Sequence, residues 1–133
     1  MIALSFQYAR QEDTAEERGP ASLRQAIDAF RAFPWQEQLA EAKKLELCSP
    51  TLFLKDGDDG SVFFASIMLG DKLDFMLFFE AEEEDDEGWT LLGKRMKKQR
   101  VTDDSTGHDS KEVEAAITAY YSDRAKLKKL IHP

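Results

Sequence analysis

The side chains of this chain that could do chemistry are mostly carboxylates, and they are concentrated in two stretches. The first, the acidic turn, is Asp56-Gly57-Asp58-Asp59-Gly60, and the second, the acidic run, is Glu80-Ala81-Glu82-Glu83-Glu84-Asp85-Asp86-Glu87. Closely spaced carboxylates can bind a hard cation such as calcium, or they can attract a basic protein. An EF-hand calcium loop that began at Asp56 would need a Glu at its twelfth position, which is Ile67. We therefore predict a hairpin turn here and no metal site.

The acidic run leaves more than one interpretation open. It could collect a divalent cation loosely, mimic a nucleic-acid backbone or dock a basic protein, and the plain alternative is a solvated loop. The run directly follows an aromatic-rich segment, Leu73 to Phe79, so it could be held against a structured surface and steer a basic partner. We therefore predict that both stretches contain partner-binding residues, namely Asp56, Asp58, Asp59, Glu80, Glu82, Glu83, Glu84, Asp85, Asp86 and Glu87.

Other groups that often carry chemistry are few. The histidines, His108 and His132, do not belong to a ligand-spaced cluster, and we find no nucleophile elbow, phosphate loop or zinc-binding helix. We predict no catalytic residue, no cofactor and no enzyme, although Asp74 or Glu80 could still act in acid–base chemistry if it were buried in a pocket. Cys48 is the single cysteine, which excludes an internal disulfide, and its apolar neighbour favours a buried structural thiol.

The overall charge limits the kind of partner. The chain carries a net charge of −8, which repels a phosphate backbone and disfavours nucleic acid as a partner. A basic segment follows the acidic run and consists of Lys94, Arg95, Lys97, Lys98 and Arg100. We interpret this basic segment as a counter-charge to the acidic run, or as the solvent face of an edge strand. The predicted partner is therefore a basic protein.

Length and composition indicate a single folded domain, residues 1–133. Hydrophobic residues make up 42% of the chain and include nine Phe, which is enough for a core. The start of the sequence lacks the pattern of a signal peptide, and no apolar run reaches the roughly 20 residues that a membrane helix needs. We expect a cytoplasmic protein without membrane contact.

The first half of the chain predicts a strand followed by a helix. Apolar residues alternate from Ile2 to Tyr8, which predicts a short strand at an edge of a sheet. The charged segment from Gln11 to Pro20 predicts a solvated loop. Ser22, with Gln25 at the capping-box position, starts a helix that we expect to reach about Lys44, with a kink or break near Phe33-Pro34.

The second half predicts an antiparallel meander and a final helix. Strands are expected at Thr51–Lys55, Ser61–Leu69, Leu73–Phe79 and Trp89–Leu92, with a fifth strand or an extension near Arg100-Val101. A polar loop from Thr102 to Asp109 then leads into a helix of about Ser110 to Leu130. The predicted fold class is α+β, a two-layer sandwich with a sheet of four to five strands. Adjacent Phe pairs must point to opposite faces of the sheet, so either both faces are partly covered or one face keeps exposed aromatic rings for a partner.

The order of helices and strands along the chain resembles that of a known class of proteins. A helix containing Phe30-Arg31-Ala32-Phe33-Pro34-Trp35 is followed by Ser49-Pro50-Thr51-Leu52-Phe53-Leu54, a hairpin, a meander and a last helix. This order, from Ser22 to Ile131, resembles immunity proteins of bacterial polymorphic-toxin and contact-dependent growth inhibition systems. The resemblance implies a small cytoplasmic protein that binds a cognate toxin domain, often a basic nuclease, and blocks its active site or access to it. It carries over no catalytic residues.

Our functional expectation is therefore an immunity protein that neutralises a basic toxin domain by occluding it. A secretion chaperone is the alternative within binding proteins, and it would be a homodimer with an exposed apolar groove. An unrecognised small-ligand-binding protein or enzyme is the third possibility, and it would need a pocket between sheet and helices.

Overall fold

The computed structural model describes residues 1–10, 15–46, 48–90 and 93–133, and of residues 83–90 and 93–99 it describes the backbone alone. The described residues form a six-stranded antiparallel sheet and four helices. The strands are β1 (Ile2–Gln7), β2 (Glu16–Pro20), β3 (Thr51–Asp56), β4 (Val62–Ile67), β5 (Phe75–Thr90) and β6 (Gly93–His108). Their order across the sheet is β2-β1-β3-β4-β5-β6, so β3 to β6 form a meander, as predicted. The fourth strand predicted at Trp89–Leu92 is wrong, because Trp89 and Thr90 end β5, residues 91 and 92 lie outside the described residues, and the fourth meander strand is β6.

The helices lie in two pairs, one on each side of β3 to β6 in the sequence. They are α1 (Leu23–Ala32), α2 (Trp35–Leu45), α3 (Ser110–Ser122) and α4 (Arg124–Ile131). Both predicted capping boxes are present, because Ser22 accepts from the Gln25 amide before α1 and Asp109 accepts from the Glu112 amide before α3. Each box satisfies amides that have no partner inside the helix, so each fixes where its helix begins.

The core lies between the helices and one face of the sheet. The buried side chains on this inner face of the sheet are Leu4 and Phe6 on β1, Leu52 and Leu54 on β3, Phe63, Ala65 and Ile67 on β4, and Phe75, Leu77 and Phe79 on β5. Trp35 of α2 packs edge-on against Phe75 with ring centroids 5.1 Å apart, and Tyr120 of α3 lies 5.7 Å from Phe63. Full burial of each large apolar side chain stabilises the fold by about 1.5–3 kcal/mol.

The other face of the sheet, which we call the outer face, carries the alternate residues of the same strands. Phe53 on β3, Phe64 on β4 and Phe78 on β5 lie on this face and are half-buried. The adjacent pairs Phe63-Phe64 and Phe78-Phe79 therefore point to opposite faces, as predicted. No helix of the described residues packs on the outer face, because the helical contacts of the sheet are made by the inner-face residues.

Strands β5 and β6 continue far past the rest of the sheet. The pairing of β4 with β5 ends at Val62 and Glu80, whereas β5 runs on to Thr90 and pairs with β6, with an irregularity between Asp86 and Trp89. Ten residues at about 3.3 Å each make this two-stranded extension roughly 33 Å long. We call its residues, 81–90 and 93–101, the arm.

Several sequence predictions are corrected at the level of single elements. The sheet has six strands, not four to five, and β1 lies inside it between β2 and β3. Part of the predicted loop from Gln11 to Pro20 is strand β2, while residues 11–14 lie outside the described residues. Strand β2 is an edge strand with a mostly exposed surface, so it lacks the apolar alternation that marks a strand in the sequence.

The predicted loop from Thr102 to Asp109 is also wrong, because residues up to His108 belong to β6. Its polar residues pair with the apolar residues of β5, for example Asp104 with Phe78. The long N-terminal helix is broken completely at Phe33-Pro34, and the predicted C-terminal helix is two helices. Asp123 causes the second break, since it adopts an extended conformation and its side chain caps α4 by accepting from the Lys126 amide.

Candidate functional site

The acidic turn has the predicted hairpin geometry between β3 and β4. Gly60 donates its amide to the Asp56 carbonyl at 2.8 Å, and Gly60 adopts a positive φ of 72°, which suits glycine. The carboxylate of Asp56 accepts from the amide of Asp58 at 2.9 Å, and that of Asp59 accepts from the amide of Ser61 at 2.8 Å. The carboxylates of Asp56 and Asp59 therefore help to form the turn itself, because each accepts a hydrogen bond from a backbone amide two residues later.

Arg124, the first residue of α4, joins the helical layer to this turn. Its Nη1 donates to Asp59 Oδ2 at 2.8 Å, and its Nη2 donates to Asp56 Oδ2 at 3.0 Å. The guanidinium group also lies over the ring of Tyr120, 4.1 Å from the centroid. Burial raises the pKa of Asp59, but hydrogen bonds from Ser61 and Arg124 outweigh it and hold that pKa below its usual value. The geometry is that of a structural ion pair.

The third carboxylate of the turn, Asp58, is engaged differently. Its Oδ2 accepts from the amino group of Met1 at 2.7 Å, and this hydrogen bond raises the pKa of the amino group. Asp58 is the most open of the three, with 85% of its side chain exposed. The structure thus brings Asp56, Asp58 and Asp59 together, but each carboxylate already has an intramolecular cationic partner. Their role toward a second protein stays a prediction.

The acidic run is part of a strand, not a loop. Its two carboxylates with described side chains both face Arg100 of β6, which lies 2.8 Å from Glu80 Oε2 and 3.7 Å from Glu82 Oε1. The hydrogen bond from Arg100 lowers the pKa of Glu80. The side chains of the other predicted residues, Glu83, Glu84, Asp85, Asp86 and Glu87, lie outside the described residues, although their backbone belongs to β5.

The backbone register of the arm aligns acidic residues with basic ones. Glu82 is the register partner of Arg100, Glu84 of Lys98, and Asp85 of Lys97. Opposite charges at paired positions stabilise antiparallel strands, so this register agrees with the interpretation of the basic segment as a counter-charge. The arm holds six carboxylates and five cations, which makes it nearly neutral as a unit.

A row of three aromatic rings crosses the middle of the outer face. Phe64 stacks on Phe78 with ring centroids 4.3 Å apart and 13° between the planes, and Phe53 lies 5.4 Å from Phe64 on the other side. The register extends this row through Ser5 to Glu17 on β2 at one end and to Asp104 on β6 at the other. The sequence predicts aromatic rings on both faces and leaves open that one face keeps them exposed for a partner, but it does not indicate which rings lie on that face.

A polar cluster that was not predicted from the sequence surrounds the buried side chain of His108. The Nε2 atom of His108 lies 2.7 Å from Ser105 Oγ, and Nδ1 lies 2.8 Å from Glu112 Oε2. His108 is 7% exposed, so it is not part of a polar loop. Glu112 also belongs to the capping box of α3, and the cluster therefore fastens the end of β6 to the start of this helix. The spacing of four residues between His108 and Glu112 was the signal available in the sequence.

The remaining residues singled out in the sequence are mostly structural. Trp35 is buried in the core as predicted, and its indole N–H donates to the Phe30 carbonyl at 2.8 Å. Cys48 is half-buried, less than predicted, and Asp74 is half-buried as well. The side chain of Trp89 lies outside the described residues. Within the described part of the chain, no three metal-ligating side chains converge.

A groove of about 540 Å³ runs between α1 and α3 and is open to solvent. Its charged groups are already paired, since Arg24 lies 3.8 Å from Asp28 and Arg31 lies 2.6 Å from Glu114.

A comparison of the chain with protein-family models, with curated proteins and with solved structures found no match. None of the helices in the described part of the chain has the length and apolar character needed to cross a bilayer.

Proposed function

We propose that this protein binds and neutralises a basic protein, a cognate toxin domain of the kind implied by the resemblance to immunity proteins. The observation that carries the proposal is the distribution of charge. The arm holds six of the 26 acidic residues and five of the 18 basic ones, so nearly all of the surplus negative charge lies on the remainder of the chain. Because the arm is nearly neutral and the remainder of the chain is acidic, this distribution favours a basic partner that binds to the sheet or the helices and not to the arm.

The charge would act mainly on the rate and selectivity of association. Complementary fields steer an oppositely charged partner and raise association rates by roughly 10- to 1,000-fold at low salt. They also reject acidic competitors, because like charges brought together at an interface cost free energy. Inhibition would follow from occlusion, in which the bound protein covers the partner's active site or the path to it.

The alternatives receive less support from the geometry. A small-ligand protein would need an enclosed pocket with converging polar groups, whereas the groove between α1 and α3 is open and its arginines are paired. A secretion chaperone would use an apolar groove in a homodimer. The half-buried aromatic row on the outer face is the feature that a homodimer could cover, and solution mass distinguishes this possibility directly.

The test is affinity purification from the native source with the full chain as bait, followed by identification of the captured protein. We expect a protein of high isoelectric point whose affinity falls as salt is raised from about 50 to 500 mM, because the Debye length shortens over this range. An equimolar amount of this chain should then abolish the activity of the captured protein. Capture of acidic proteins only, or binding that salt does not weaken, would contradict the proposal.

A further inference from the structure

The outer face combines an open aromatic row with carboxylates at both ends. The rings of Phe53, Phe64 and Phe78 occupy three neighbouring strands at one register level, with centroid separations of 5.4 and 4.3 Å. Within the described part of the chain, their ring contacts join them only to one another, while the inner-face rings are buried under the helices. A stack of half-buried aromatic rings on an uncovered sheet face is a typical recognition surface.

The charged residues around this row are mainly acidic. Glu17 and Asp104 lie at its two ends, both are exposed, and neither forms an ion pair with another described residue. In the adjacent register row, Lys55 is exposed and Glu80 is paired with Arg100. The two end positions of the aromatic row therefore carry carboxylates that remain available to a second molecule.

This combination selects the chemistry of the partner. Aromatic rings on a sheet can stack nucleic-acid bases, but such platforms need cationic groups to hold the phosphate backbone. Here the row is bounded by Glu17 and Asp104, so it repels phosphates and attracts cations. An arginine guanidinium meets both features, because it stacks on aromatic faces and pairs with carboxylates in a bidentate geometry.

We propose that the outer face is the docking surface for the basic partner, with partner arginines lying over Phe53, Phe64 and Phe78 and pairing with Glu17 and Asp104. This inference rests on the proposed function and identifies where binding takes place. It differs from the sequence prediction, which placed binding in the acidic turn and the acidic run. In both of those stretches, the described carboxylates already have cationic partners within the chain.

The surface can be tested on the full chain by nuclear magnetic resonance titration. The probe is a synthetic peptide of twelve alternating arginine and leucine residues, compared with matched lysine–leucine and glutamate–leucine peptides. We expect the arginine peptide to shift backbone amides around Phe53, Phe64 and Phe78, the lysine peptide to bind several-fold more weakly, and the glutamate peptide not to bind. Equal affinity for the arginine and lysine peptides would overturn the stacking of guanidinium groups on the rings.

Two variants and one control give the proposal a sharper test. Phe64→Thr introduces a β-branched residue, which suits a strand, and should weaken binding of the arginine peptide at least tenfold, while Asp104→Asn should weaken it several-fold. Asp28→Asn makes the same charge change on α1, on the helical side of the protein, and should leave affinity unchanged. Circular dichroism on each variant establishes that it is folded, and Phe64→Leu, which keeps an apolar side chain but lacks the ring, replaces Phe64→Thr if the first variant unfolds.

Failure of this inference can be distinguished from failure of the proposed function. Shifts that map to residues 56–60 or to Glu82, with none around Phe53, Phe64 and Phe78, would overturn the surface, whereas the proposed function would still stand on the captured native partner. Sedimentation provides a separate check. A dimer that Phe64→Thr converts to a monomer would mean that a second copy covers this face, and would also overturn the proposal.

Discussion

The carboxylate of Asp56 in the β3–β4 turn accepts a hydrogen bond from Arg124, the first residue of α4, at 3.0 Å. The same guanidinium group reaches Asp59 and Ser61, each at 2.8 Å. Residues 68 positions apart in the chain are thereby joined, and the last helix is fastened to the end of the central hairpin. The acidic turn consequently has an architectural role, whatever second protein it meets.

Replacement of Arg124 should therefore destabilise the protein. Arg124→Ala removes the guanidinium partner of Asp56, whose side chain is 14% exposed, and leaves it only the Met1 amino group at 3.7 Å. We expect a loss of about 2–3 kcal/mol in the free energy of unfolding. Urea denaturation followed by circular dichroism measures this loss. Arg24→Ala, in an exposed pair 3.8 Å from Asp28, is the control and should cost less than about 1 kcal/mol. Equal effects of the two variants would contradict the structural role of Arg124.

The lowered pKa of Asp59 predicts that the contribution of this turn to stability depends on pH in the acidic range. A carboxyl whose pKa is depressed in the folded state contributes stability above its unfolded pKa, near 3.8 here, and loses it as pH falls through the folded pKa. We expect Asp59→Asn to lower the urea midpoint at neutral pH, and the difference from the wild type to shrink as pH falls below about 4. A difference that stays constant down to about pH 2 would mean that the carboxylate is not held in its charged form.

The raised pKa of Tyr121 leads to a second prediction, that stability depends on pH in the alkaline range. Its hydroxyl donates to the Ala21 carbonyl at 2.8 Å, and burial, with a smaller contribution from Tyr120, raises the pKa of Tyr121 to about 12. A raised pKa means that the stabilisation is complete below the unfolded pKa of 10.0 and is lost as pH rises through about 12.

We expect Tyr121→Phe to cost about 1 kcal/mol at neutral pH, because the Ala21 carbonyl loses its donor. The difference from the wild type should disappear as pH rises above about 10 and the wild-type phenol ionises on unfolding. Denaturation curves across this range measure the stability, and the absorbance of the phenolate follows ionisation. A phenol in the folded wild type that titrates near its ordinary pKa would show that the hydroxyl is not buried as described.

The arm should be dispensable for folding. Glu82 and Arg100 are register partners, so residues 83–99 can be replaced by Asn-Gly, which favours the two-residue turn that joins antiparallel strands. We expect the free energy of unfolding to change by less than about 1 kcal/mol, because an isolated two-stranded ribbon is marginally stable by itself. The same deletion closed by Ala-Ala is the control and should be less stable, since alanine disfavours the required positive φ angles.

The arm deletion also separates the two candidate binding regions. If the outer face docks the partner, the Asn-Gly variant should retain the affinity of the full chain within about twofold, because the arm is nearly neutral and its loss leaves the acidic surplus in place. Affinity for the captured native partner, measured by calorimetry at one salt concentration, decides this. Loss of binding in a variant that remains folded would restore the acidic run as the docking site.

Local sequence patterns accounted for the features that depend on near neighbours. The capping boxes at Ser22 and Asp109 and the break at Pro34 involve residues within one turn of a helix, and the turn at Asp56 to Gly60 is equally local. Alternation on β1 predicted its buried residues because one face of that strand meets the core. These interactions form within a few residues of one another, so the sequence predicts them directly.

Long-range pairing decided what the sequence left open. The acidic run looked like a solvated loop because like charges repel, and it became a strand only through its register with the basic segment on β6. Strand β2 and the polar end of β6 were missed for a related reason, since their apolar partners lie on other strands.

The positions of the candidate binding residues also depend on the tertiary structure. The apolar periodicity and the order of strands and helices in the sequence predicted an α+β fold, and the composition determined its strong negative surplus. Only the tertiary structure decided that all the helices described lie on one face and that Phe53, Phe64 and Phe78 line up on the other. The physical reason is that alternation along a strand determines which residues share a face of the sheet. Which of the two faces remains uncovered depends on where helices from distant parts of the chain pack.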